Sequence, residues 1–225
     1  MHDRSSQLIE SGSKEELTAY IKELSARIRE ISIRLIVFAP LPPIPGFVIT
    51  IMGYIATQGF RLADWLREPH LDNIDLIAHT TRSLFEACLT YRHLMTGGGQ
   101  HFMERLIAEI ARDELDVTKE SLRRFAAGSA PPELVARQQQ LEATNPPKVL
   151  RVSDLADETD ARGEYDAHYK LFSKYSHPSI YLLVGERRQV YSQQALRLFT
   201  ERAAAYLEAA ANDYERLLEA LSEHK

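Results

Sequence analysis

Residues 199–221, FTERAAAYLEAAANDYERLLEAL, place apolar side chains at Phe199, Ala203, Tyr206, Ala210, Tyr214, Leu217 and Leu221. Every step between them is three or four residues, the spacing that holds side chains on one face of an α-helix over many turns. A long helix with one apolar stripe needs other helices to cover it. The same signal recurs near the start of the chain, where Leu17, Ile21, Leu24, Ile28, Ile31 and Leu35 alternate steps of four and three. Ser13-Lys14-Glu15-Glu16 precedes that seam as a capping box, with a carboxylate three residues beyond the serine. No run of alternating apolar and polar residues reads as a set of strands. The expected fold is therefore an all-α bundle.

The segments between these helices are punctuated by proline and glycine. Ile31 to Phe60 is the most apolar stretch, but Pro40, Pro42, Pro43 and Pro45 divide it. Neither half reaches the roughly 18 continuous apolar residues of a spanning helix. Two readings remain for it: a buried helical hairpin around a proline-rich corner, or a hairpin associated with a membrane surface. A second helix is expected from about Ile44 to Trp65. A third runs from near Leu71 to Gly97-Gly98-Gly99, with Ile77, Thr81, Leu84, Cys88, Tyr91 and Met95 as its buried stripe. His101 to Ala126 reads as helix, with Phe102, Leu106 and Ile110 on one side, and is broken by Gly128-Ser129-Ala130-Pro131-Pro132. A short helix from Glu133 to Glu142 and an acidic one around Ser153 to Thr159 follow. The next helix carries Tyr169 to His177 and stops there, because Pro178 disfavours helical geometry at the residue before it. These boundaries give a flexible segment 1–12 and a single helical domain 13–225. Within it lie an N-terminal hairpin at 13–70 and a core at 71–225 interrupted by an insertion at about 100–150.

The 225 residues are 44% hydrophobic and 26% charged, enough to bury a sizeable core. A net charge of −5 argues against a general nucleic-acid coat protein, though not against a local basic patch. Cys88, the single cysteine, excludes an intrachain disulfide framework, reads as a buried thiol and suits a cytoplasmic location. The polar start Met1-His2-Asp3-Arg4-Ser5-Ser6 has no apolar core of signal-peptide type.

Two polar signatures stand out. Arg82-Ser83-Leu84-Phe85-Glu86 puts a cation and a carboxylate one helical turn apart. His79 and His93 fall on the same stripe, which reads either as a semi-buried polar face or as a plain solvated one. If buried, Arg82 needs a partner, and Glu86 is the nearest candidate. Tyr169-Lys170-Leu171-Phe172-Ser173-Lys174-Tyr175-Ser176-His177-Pro178-Ser179 repeats the four-residue step at Tyr169, Ser173 and His177. A histidine at a helix C-terminus is favoured in its protonated form, so His177 reads either as an acid or anion ligand or as a simple cap. The histidines include no H-E-x-x-H and there is no cysteine cluster, so neither a metal site nor a cofactor is expected. Gly97-Gly98-Gly99 lacks the Lys-Ser/Thr of a phosphate-binding loop, and Ser173 lacks the G-x-S-x-G elbow of a hydrolase.

Arg82-x3-Glu86 followed by Tyr169-x3-Ser173-x3-His177-Pro178-Ser179 resembles a bacterial family of unknown function that is similar to the HEPN helical-bundle proteins. The resemblance covers about Asp72–Leu94 and Leu155–Val184, and the last helix loosely. It implies a helical bundle, often a homodimer, with RNA or a nucleotide as ligand and an antitoxin or other protein as partner. Many such proteins are metal-independent ribonucleases of stress or phage-defence systems; others are binding modules. The family's arginine, four to six residues, then histidine is met here by Arg162 and His168. The catalytic residues implied are thus Arg82, Glu86, His177, Ser173 and Tyr169, with Arg162 and His168 as the alternative pair.

Overall fold

A computed structural model describes residues 7–9, 11–36, 43–67, 74–95, 99–126, 129–144, 151–176 and 188–223. Among them the chain is helical and contains no strand. Helix α1 (Lys14–Leu35) starts at the expected capping box: Glu16 N–H donates to the Ser13 hydroxyl at 3.2 Å, and Ser13 N–H donates to the Glu16 carboxylate at 2.7 Å. Then come α2 (Pro43–Arg67), α3 (Ile74–His93), α4 (Gly99–Leu122), α5 (Pro132–Ala143) and α6 (Val152–Glu158). A short α7 (Arg162–Glu164) passes into a π-helical turn (Tyr165–Tyr169) and then α8 (Lys170–Ser176), and α9 (Arg188–Glu223) is the longest element.

The four long helices α1, α2, α3 and α9 close a ring. Helix α1 packs on α2 and α9, and α3 packs on the same two. Ile21, Ile28, Ile55, Leu62, Leu84, Phe199, Leu207 and Tyr214 are fully buried where they meet. Each such side chain stabilises the fold by about 1.5–3 kcal/mol relative to exposure. Ile31, Leu35, Val48, Met52 and Ile55, from both sides of the proline-rich corner, lie in this core; the corner itself, 37–42, lies outside the described residues. No helix among the described residues is long and apolar enough to cross a membrane. One glycine sets the spacing of three helices. A Cβ on Gly59 of α2 would lie 2.0 Å from the Ser25 hydroxyl of α1 and 3.2 Å from the Leu207 methyls of α9.

Two smaller units sit on this bundle. Helices α4 and α5 pack on each other, joined by Arg137 to Glu114 (2.6 Å from Nε) and Lys119 to Glu142 (3.0 Å), and touch α2 only lightly. Helix α8 lies on α3 and drives Phe172 into the core, edge-on to Phe199 at 5.3 Å between ring centroids. Two details depart from the sequence reading. The helix carrying Tyr169 is not uniform but widens into the π-turn, and Met95, placed in the buried stripe of α3, is 42% exposed beyond its last α-helical turn.

Candidate functional site

Three of the residues singled out in the sequence meet on the outer face of α3. Arg82 Nε donates to Glu86 Oε1 at 2.9 Å, one turn along the helix. The Tyr169 hydroxyl, at the end of the π-turn, donates to the same oxygen at 2.7 Å. The Arg82 guanidinium carbon stands 4.9 Å from the Tyr169 ring centroid, so the cation also lies over an aromatic face. The stripe is semi-buried here, with the Arg82 and Glu86 side chains 27% and 35% exposed, although His79 is exposed. Burial alone would depress the Arg82 pKa, but Glu86 and Tyr169 together outweigh it and the guanidinium is held above its ordinary value. The Tyr169 phenol is pushed up too, first by burial and then by donating to the Glu86 carboxylate. The Ser173 hydroxyl turns back to the Tyr169 carbonyl at 3.2 Å and does not join the cluster. His177, with Pro178 and Ser179, lies outside the described residues.

An aromatic wall connects this cluster to a second one. Phe85 of α3 tilts against Tyr169 at 5.8 Å and against Tyr206 of α9 at 5.4 Å, while Tyr165 stacks on Tyr169 at 4.9 Å. Beyond the wall, Glu164 gathers three groups. The Tyr206 hydroxyl donates to its Oε1, His168 Nδ1 lies 3.2 Å from that oxygen, and Arg202 Nη1 lies 3.6 Å from Oε2. The Tyr206 phenol is raised by burial first and by Glu164 second. The side chains of His168, Glu164 and Arg202 are 22%, 26% and 32% exposed. His168 Nδ1 and Arg202 Nε are buried with no hydrogen bond aligned to them. Polar atoms held this way carry a desolvation cost. The π-turn is what brings His168 and Tyr169 to the two clusters on either side of Phe85, and such turns recur at functional sites.

The alternative pair from the sequence is divided by this geometry. Arg162 bonds Asp166 at 2.9 Å and Asp157 at 3.0 Å and lies over the Tyr165 ring, whereas His168 turns to Glu164. The cation that shares the Glu164 carboxylate with His168 is Arg202. Sequence reasoning missed Glu164, Arg202 and Tyr206. Their signal was present in Glu164-x3-His168 and Arg202-x3-Tyr206, each one turn apart, but only the packing of α9 beside the π-turn joins the two pairs.

A groove of about 330 Å³ opens beside the first cluster between α2 and α3, lined by Thr50, Ile51, Tyr54, Ser83, Glu86, Ala87 and Thr90. Among the described residues no group of three or more His, Cys, Asp or Glu side chains is arranged to hold a metal ion. No protein-family model, curated protein or solved structure matches the chain.

Proposed function

We propose that this protein is a HEPN-like, metal-independent endoribonuclease whose reaction centre is the Glu164 cluster rather than Arg82 with His177. The observation that carries the reading is the convergence of one carboxylate with an imidazole, a guanidinium and a phenol from two separate elements, in partial shelter from water. Glu164 accepts the proton of an RNA 2′-hydroxyl as its oxygen attacks phosphorus, and His168 as imidazolium protonates the departing 5′-oxygen. Arg202 stabilises charge gathering on the non-bridging oxygens, and Tyr206 fixes the Glu164 carboxylate. Arg82 and Glu86 are positioning residues: through Tyr169 they set the π-turn that carries His168. The resemblance described above adds a homodimer, a protein partner and a role in stress or phage defence.

The test is incubation of purified protein with total RNA in EDTA. Cleavage is expected, with a loss on the order of 10²–10⁴-fold in His168→Ala, since a positioned acid or base contributes that much. Circular dichroism checks that the variant is folded. Absence of cleavage, or full cleavage by His168→Ala, refutes the assignment.

A second reading, a non-catalytic ligand-binding module, is favoured by a different observation. Arg82 is paired with Glu86 and Arg202 with Glu164, so both pairs are balanced, and the α2–α3 groove beside Glu86 is open. Nucleotide-dependent thermal stabilisation without RNA cleavage would select that reading.

A further inference from the structure

The α4–α5 unit presents a strip that no described residue covers. Ile107, Ile110 and Val117 fall along one side of α4 and are 61%, 60% and 66% exposed. Helix α5 borders the strip, and its Arg137 pairs with Glu114, which falls on the same side between Ile110 and Val117. Along one edge run Glu109, Asp113, Asp116 and Glu120, at steps of four, three and four. Like charges one turn apart destabilise a helix, and burial together with Asp113 pushes the Glu109 carboxyl up. Glu120 has Arg123 at 3.0 Å, while Glu109, Asp113 and Asp116 have no paired cation among the described residues.

We infer that this surface docks an amphipathic helix of another protein, one whose apolar stripe is edged by lysine or arginine. The aliphatic strip supplies a helix-in-groove contact against the wall of α5. The acidic row supplies the complementary charge, which sets orientation and excludes wrong partners. A second copy of the chain fits poorly. Antiparallel pairing of two such strips sets acidic row against acidic row, and in parallel pairing α5 stands where the partner's acidic row must lie. An anionic membrane surface meets the same repulsion.

The probe is a labelled 18-residue model helix of leucine and lysine, with its leucines on one face, compared with a leucine–glutamate helix of identical apolar face. Fluorescence anisotropy with the full-length protein is expected to show the lysine helix binding at least about tenfold more tightly than the glutamate helix. Ile110→Ser with Val117→Ser, both at exposed positions, should weaken the lysine helix by a similar factor, and Asp113→Lys with Asp116→Lys should reverse the preference. Equal binding of the two helices, or indifference to the serine pair, overturns the inference. So does a dimer of the native chain that the serine pair dissociates, or binding to vesicles carrying about a third phosphatidylserine that the same pair abolishes.

Discussion

Replacing Tyr214 by phenylalanine should stabilise this protein, because the hydroxyl it removes is buried without a partner. Tyr214 is fully buried in the four-helix core, and its oxygen has no hydrogen bond among the described residues. Its ring packs edge-on against Tyr91 at 4.3 Å between centroids, a contact phenylalanine keeps. An unpaired buried polar group costs about 1–3 kcal/mol. Removing it, less the dispersion lost with one oxygen atom, leaves an expected gain of about 1 kcal/mol. In a chain of this size that raises Tm by about 2–4 °C. The assay is urea unfolding followed by circular dichroism, with calorimetry for Tm. The same change at Tyr206 serves as the internal contrast: it strips a hydrogen bond from Glu164 and should destabilise by about 1–3 kcal/mol. If Tyr214→Phe instead loses about 1 kcal/mol or more, the hydroxyl is bonded and α9 packs against α3 in another way.

Gly59→Ala should destabilise by about 0.5–2 kcal/mol in urea, since overpacking against Ser25 and Leu207 outweighs the gain in helix propensity; a neutral result would mean a wider α1–α2 spacing. The Cys88 thiol is pushed up to about 12, chiefly by burial, and lies against the Tyr206 carbonyl. At pH 8 it should react with a thiol reagent only as fast as the fold opens, and at once in denaturant; rapid labelling of native protein would contradict its burial. Burial also raises the Tyr206 and Tyr214 phenols in the folded chain. Above about pH 10 the unfolded chain releases those protons while the folded chain keeps them, so stability falls as pH rises, by up to about 1.4 kcal/mol per pH unit for each phenol. Urea midpoints that stay level between pH 9.5 and 11 would refute it.

What the sequence revealed follows the range of each interaction. Helix existence was readable because apolar spacing and capping are local: the Ser13–Glu16 box and the seam from Leu17 to Leu35 appear as expected. So was the pairing of Arg82 with Glu86, one turn apart on one helix. The π-turn was not, because Tyr165 to Tyr169 carries nothing that distinguishes it from ordinary helix; it exists where Tyr165 and Tyr169 stack and Phe85 meets Tyr169. His168 meets Glu164 one turn back along the chain, while Arg162 is taken up by Asp157 and Asp166. Arg202 and Tyr206 read as routine positions on α9, and their part in the cluster depends on a contact between segments some forty residues apart. On α4 the sequence set Phe102, Leu106 and Ile110 on one side; the side chains of Phe102 and Leu106 lie outside the described residues, and the exposure of Ile107, Ile110 and Val117 beside α5 became visible only in the packing.

We propose Glu164, His168 and Arg202 as a centre for 2′-hydroxyl attack on an RNA phosphodiester. The terminal chemistry of fragments released in EDTA tests it most directly. Ends bearing 2′,3′-cyclic phosphate and 5′-hydroxyl, lost in both His168→Ala and Glu164→Gln, are the predicted result. Intact RNA, fragments ending in 3′-hydroxyl, or the same ends produced undiminished by both variants would contradict it.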